Sequence, residues 1–230
     1  MRPLTDTTPK PMLNVGDRPL IAWHLHALQD AGIHHVVINV AYLGQQIIDF
    51  VGDGSAFGLN VRFSIEPEGA LETAGGIATA EPWRTGDGDL VDAPFLVINA
   101  DVWTDWPRQR AIEIAKTEFQ SQRPPLCHLV LVNNPSHHPK GDFSLAAARS
   151  SAETEVQPVL APNAGNTLTF SGVGVYDRRM FAEIKPHHRA ALAPLLHQAI
   201  AQGRANGSHY TGVWKDIGTP ERLEDLNRHL

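Results

Sequence analysis

The chain holds one cysteine, Cys127, in 230 residues. A lone cysteine cannot close an internal disulfide, so the sequence is not that of a disulfide-stapled secreted scaffold. Set inside the apolar run CHLVLV, it reads as a small buried strand residue. No run approaches the roughly 20 apolar residues that a membrane span requires. The start also lacks the basic and apolar regions of a secretory signal. These absences point to a cytoplasmic chain with no membrane partner. Basic residues are in deficit: 19 Lys and Arg stand against 25 Asp and Glu, a formal net charge of −6. A broad phosphate-binding face wants the opposite surplus, so no nucleic-acid partner is expected, although a local basic site is compatible. Repeats and low-complexity tracts are missing. Three histidine pairs, His34-His35, His137-His138 and His187-His188, match no zinc spacing and read as surface or loop residues. Ser55, Ser171 and Ser208 lack the strand–turn–helix elbow of a serine hydrolase.

What is present suffices for a folded domain. Apolar residues make up 42% and charged residues 19%, ordinary values for a chain long enough to bury a sizeable core. Residues 1–230 read as a single domain. The hydrophobic pattern predicts helices at Pro19–Ala31, Gly44–Val51, Thr73–Trp83, Pro107–Ser121 and Leu192–Gln202, and a last one capped by Thr219 with Pro220 at its first position. Strands are predicted at Val36–Val40, Leu59–Ile65, Phe95–Asn99, Leu126–Asn133, Asp142–Ala147, Thr167–Tyr176 and Tyr210–Ile217. VVINV and FLVIN read as strands buried on both faces. Alternating strands and helices imply an α/β fold: a Rossmann-like mixed, mostly parallel sheet flanked by helices.

In such folds ligands lie beyond the carboxyl ends of strands. Asp101 follows FLVINA and Asp216 follows YTGVWK, so both carboxylates stand where a ligand would lie. Together they could hold a divalent cation such as Mg2+, which takes one or two carboxylates plus water and phosphates. Each alone also reads as an ordinary strand-end turn residue. Lys10, stiffened between Pro9 and Pro11, is a good point charge for phosphate and equally a solvated loop lysine. Gly75-Gly76 in LETAGGI permits close backbone approach at a loop-to-helix junction, or marks a plain turn.

PLTDTTPKPML, LETAGG, FLVINADVW and VWKDIGTPERL, in that order, resemble the sugar-1-phosphate nucleotidylyltransferases over nearly the whole chain. INVAYLGQQI, KGDFSL and NTLTFSGVGVY are most similar to the branch acting on N-acetylmuramate 1-phosphate with UTP in cell-wall (peptidoglycan) recycling. The resemblance implies transfer of a nucleotidyl group from an NTP to a sugar 1-phosphate, with pyrophosphate leaving. It implies that Asp101 and Asp216 hold Mg2+ and that Lys10 contacts phosphate. It places Glu72, Thr73, Ala74, Gly75 and Gly76 in the loop that packs on the base, with Glu66 where relatives read the base. Gly141, Asp142, Thr169, Ser171 and Gly172 match the sugar-side loops. Asn99 and Trp103 flank the metal aspartate, within reach of ribose or sugar. The partners implied are an NTP and a sugar 1-phosphate; a monomer is compatible.

Two departures stand out. Many relatives carry Glu-Lys-Pro near the sugar loop, where this chain reads NAGNTLTF, which fits the muramate branch better. Relatives also begin with a strand and a turn of the form A-A-G-x-G-x-R, and Met1 enters this pattern at its end. The chain is therefore expected to be an amino-terminally shortened version. Two alternatives follow: a mannose-1-phosphate guanylyltransferase or other hexose-1-phosphate enzyme, and a non-catalytic nucleotide-sugar-binding module.

Overall fold

The computed structural model describes residues 1–67, 71–84, 91–146, 156–161 and 166–230. The end of the predicted strand at Ala147 and residues 163–165 of the NAGNTLTF stretch lie outside the described residues. A short hairpin, β1 (Asn14–Val15) and β2 (Arg18–Pro19), leads into α1 (Leu20–Asp30). Then follow β3 (His35–Val40), α2 (Gly44–Val51), β4 (Asn60–Ile65), α3 (Glu72–Ala80) and β5 (Phe95–Ile98). Next come β6 (Val102–Thr104), α4 (Gln109–Thr117), β7 (Cys127–Val132), β8 (Phe143–Leu145), β9 (Gln157–Leu160) and β10 (Thr167–Tyr176). The chain ends through α5 (Leu192–Ala201), β11 (Ala205–Tyr210), β12 (Trp214–Asp216) and α6 (Pro220–His229).

Helix boundaries follow local chemistry. Thr219 caps α6 by accepting a hydrogen bond from the Arg222 N–H, and Pro220 occupies the first turn, as the sequence indicates. Helix α3 stops three residues short of the predicted Trp83. Glu81 turns left-handed (φ 44°) because Pro82 disfavours helical geometry in the residue before it.

A six-stranded sheet in the order β5-β10-β7-β11-β9-β8 forms the frame. The α/β class holds, but the balance of pairing differs from the expectation. Among the described residues, β3–β4 and β7–β11 pair in parallel and the other pairs are antiparallel. No described helix separates β8, β9 and β10, so these strands turn back on their neighbours, and β10 runs antiparallel between β5 and β7.

The predicted strand Tyr210–Ile217 is two strands broken near Gly212, and β11 begins five residues earlier. Its sequence, ANGSHY, has poor strand propensity. Pairing along its length with β7 overrides that, since propensity is a weak prior against tertiary contacts.

Strand β7 divides the core by its period of two. Cys127, Leu129 and Leu131 join a cluster with Ile77 of α3, Leu196 and Ala199 of α5, Tyr176 and Phe181. Val130 joins Trp106, Ala111, Ile114, Val173 and Val175 on the α4 side. Between β7 and β11, buried His128 sits 2.8 Å from Glu118 and 3.0 Å from Ser208, while Asn206 donates to the second oxygen of Glu118.

Candidate active site

The two aspartates, 115 positions apart in sequence, meet through one small sheet. Strand β12 pairs antiparallel with β6, which sets Asp216 opposite Val102, the neighbour of Asp101. The Ile217 N–H donates to the Asp101 carbonyl at 2.8 Å and locks this register. Lys10, in a turn of 3-10 helix between its prolines, reaches the same place: its Nζ lies 3.3 Å from Asp101 Oδ2. Asp216 is held from two sides, by Arg222 of α6 on Oδ2 and by His137, whose Nε2 is 3.1 Å from Oδ1.

Asn99, Asp101, Thr169, Ser171, Gly172 and Asp216 line a cavity of about 300 Å³, with His137, His138 and Trp214. Its floor comes from an irregularity in β10. Pairing with β7 shifts register between Phe170 and Gly174, the mark of a bulge, and bulges re-aim side chains beside sites. Gly172 adopts φ 79°, and a Cβ there would sit 2.8 Å from the Asn99 amide nitrogen, so this position takes glycine. Ser171 is buried: its hydroxyl accepts from the Val173 N–H, and its carbonyl accepts from the Trp214 indole. Trp214 thereby ties β12 to the bulge.

A second cavity, about 510 Å³, is lined by Glu72, Thr73, Asn99 and Asp142 and by the apolar side chains of Phe143, Phe170, Leu192 and Leu196. Asn99 and Phe170 belong to both cavities. Asp142 is oriented by protein on both oxygens, with Oδ1 on His138 at 3.0 Å and Oδ2 accepting the Phe170 N–H. Thr169 donates to Asn134, and Gly141 (φ 61°) lets the chain pass so near Asn134 that a Cβ would lie 2.6 Å from its side-chain oxygen.

The remaining candidates have partners within the protein. Ala74 is fully buried against the core. Gly75 packs on the backbone of residues 188–190, where a Cβ would fall 2.2 Å from the His188 carbonyl. Gly76 makes room for Glu66 and Asn39, which bond to each other at 2.9 Å. Glu66 also accepts the Leu71 N–H, and Glu72 pairs with Arg189. Trp103 stacks edge-on against Trp23 and lines neither cavity.

Three groups escape sequence reasoning. His137 and His138 read as plain loop histidines, yet both line the smaller cavity. Arg222 lies in a surface helix, and only its fold onto Asp216 discloses it. The Glu118, His128 and Ser208 chain has the order of a hydrolytic triad but is buried and touches neither cavity. Burial also pushes the Cys127 thiol up to about 12, which leaves it inert as a nucleophile.

For a metal, the donor set is two carboxylates on adjoining strands, and no group of three or more ligating side chains occurs among the described residues. That set fits a hard cation completed by water and phosphate, the habit of Mg2+, and does not fit zinc. No helix among the described residues is long and apolar enough to cross a membrane.

Comparisons with known proteins bear on the family and the fold. A family model described as nucleotidyl transferase matches residues 1–230. The chain is 48% identical over 225 residues to the N-acetylmuramate alpha-1-phosphate uridylyltransferase of Neisseria meningitidis serogroup B, covering 98% of this chain and 90% of that protein. It is 26% identical over 229 residues to a mannose-1-phosphate guanyltransferase of Hypocrea jecorina, of which it spans 58%. In three dimensions it resembles a Bacillus anthracis protein assigned as a glucose-1-phosphate thymidylyltransferase, with TM-score 0.78 and 18% identity, covering 100% of this chain and 89% of that one. HddC from Yersinia pseudotuberculosis aligns with TM-score 0.66 and 19% identity over 97% of this chain and 90% of its own. At these identities the two structures speak to the fold alone.

Proposed function

Because the chain belongs to the nucleotidyl transferase family, we propose that it transfers the uridylyl group of UTP to N-acetylmuramate 1-phosphate and releases pyrophosphate. The observation that carries this reading is the convergence of Asp101 and Asp216 on one cavity, with the Lys10 ammonium 3.3 Å from Asp101. The 48% identity to the meningococcal uridylyltransferase, against 26% to the guanyltransferase, favours the uridylyl branch.

In this reading a sugar-phosphate oxygen attacks the α-phosphorus in line, and the bond to the β-phosphate oxygen breaks, its electrons leaving with pyrophosphate. Such transfer depends on positioning and charge neutralisation more than on covalent help. Lys10 supplies positive charge toward the phosphates and, ion-paired to Asp101, is already aimed at the site. Asp101 and Asp216 would hold Mg2+, which when bound offsets charge between the two phosphates. Asn99 stands at the junction of the two cavities, where its amide can fix the acceptor. The larger cavity joins an apolar wall to polar Asp142 and Thr73, a match for a hexose bearing acetyl and lactyl methyl groups. A cytoplasmic place in peptidoglycan recycling belongs to the same reading.

Pyrophosphate release from a panel of nucleotides and sugar 1-phosphates, with Mg2+, tests it. UTP with N-acetylmuramate 1-phosphate should be the best pair. Preferential turnover of GTP with mannose 1-phosphate would overturn the branch assignment.

A further inference from the structure

Asp101 and Asp216 are supported differently. Asp101 meets one flexible lysine at 3.3 Å, and both partners are more than two-fifths exposed. Asp216 is gripped on each oxygen by a separate side chain: Arg222 on Oδ2, and His137 Nε2 on Oδ1 at 3.1 Å. The grip is built into the local sequence. A Cβ at Gly218 would stand 2.8 Å from Arg222 Nη1 and 3.0 Å from Asp216 Oδ2, so glycine clears the space for that ion pair. Residue 137 is anchored from both ends of its loop. Asn134 donates to the Thr167 and Pro139 carbonyls, and His138 bonds to Asp142, which itself accepts from Phe170. The loop is therefore pinned to β10, and His137 projects from it to Asp216.

We propose that His137 is a positioning residue, which with Arg222 fixes the orientation of the Asp216 carboxylate so that Asp216 and Asp101 together take up a divalent cation. The inference rests on the reading of these aspartates as the cation site. An exposed aspartate rotates freely about its terminal bond, and a rotating ligand loses entropy when it binds. Bonds from a second layer of residues remove that freedom in advance, and losing one typically weakens metal binding about 10–100-fold. The arrangement explains why two neighbouring histidines point into the site yet make no zinc cluster: one orients the carboxylate at the cation end, the other holds the sugar-side loop.

Direct Mn2+ binding to the purified 230-residue chain tests this, read at pH 8 from the electron paramagnetic resonance signal of free Mn2+. His137→Ala should weaken binding about tenfold, with thermal unfolding unchanged. His137→Gln, which keeps a nitrogen donor near the Nε2 position, should restore it. His137→Phe, similar in shape and without ring nitrogens, carries the same test should the alanine variant lose its fold. Unchanged or tighter binding in the alanine and phenylalanine variants would overturn the positioning role. Asp216→Asn separates the two failures. If it abolishes Mn2+ binding while His137→Ala does nothing, only the inference on His137 falls. If it too leaves binding unchanged, the cation reading falls and takes the inference with it.

Discussion

Strands β5 and β7 are near twins in composition and opposites in environment. Phe95–Ile98 reads FLVI and Cys127–Val132 reads CHLVLV, apolar throughout except for His128. Every residue of β7 is buried, whereas all four of β5 are only partly so. Strand β3, HVVINV, sides with β5: only Val40 is buried. The expectation that VVINV and FLVIN are buried on both faces is therefore met by neither. The reason lies in neighbours. Strand β7 is flanked by β10 and β11, while among the described residues β5 pairs with β10 alone and β3 with β4 alone. An apolar run shows that a segment can be buried; the number of flanking strands decides whether it is. The two strands also divide the labour: β7 carries core, and β5 leads into Asn99 and Asp101 of the site.

The sharpest way to break this division is to exchange the effects of its two ends. Asp101→Ala should lower turnover by about 100-fold or more, as expected when a group stabilising transition-state charge is removed, with little change in thermal midpoint. Leu129→Ala, in fully buried β7, should do the reverse. It should cost about 2–5 kcal/mol in urea unfolding and leave the residual folded fraction with normal KM. The same truncation at half-buried Leu96 of β5 should cost about 1–2 kcal/mol, because less area leaves water there on folding. Equal losses at positions 96 and 129 would dissolve the contrast.

A third measurement concerns buried polar groups. His24, on α1, is held neutral by burial and by the Arg108 guanidinium 3.3 Å away, and is pushed down to about 4. Burial likewise brings Arg108 down to about 10. At pH 5 the unfolded chain binds a proton at residue 24 that the fold refuses. The stabilising contribution is thus complete above about pH 6.5 and is lost as pH falls toward 4, about 3 kcal/mol in all. Urea unfolding at pH 7.5 and pH 5 should show this slope, and His24→Gln should flatten it. At the small end, Lys215→Ala removes an exposed ion pair to Asp225 at 2.8 Å and should change stability by less than about 0.5 kcal/mol.

Much of the site was legible before any geometry. Asp101 and Asp216 were marked by standing at strand ends, and Lys10 by its two prolines. Their meeting was not legible, because it depends on β6, a three-residue strand with no signal of its own, pairing with β12. His137 was hidden for the same reason, since its contact with Asp216 joins distant parts of the chain. Arg222 lies only six positions from Asp216, but nothing in the local pattern shows that the turn at Gly218 folds the two together. Gly75 was visible as a place of close approach, but what approaches is the chain's own backbone at residues 188–190.

The amino-acid sequence by itself determined the helices, the cap of α6, the apolar strands and the residue types available for phosphate and cation chemistry. These are local properties, set by periodicity, proline geometry and side-chain charge. Tertiary structure alone decided which strands pair, which apolar runs are truly buried, and that two carboxylates 115 positions apart share one cavity. Those outcomes are sums over distant contacts, and no local window of sequence contains them.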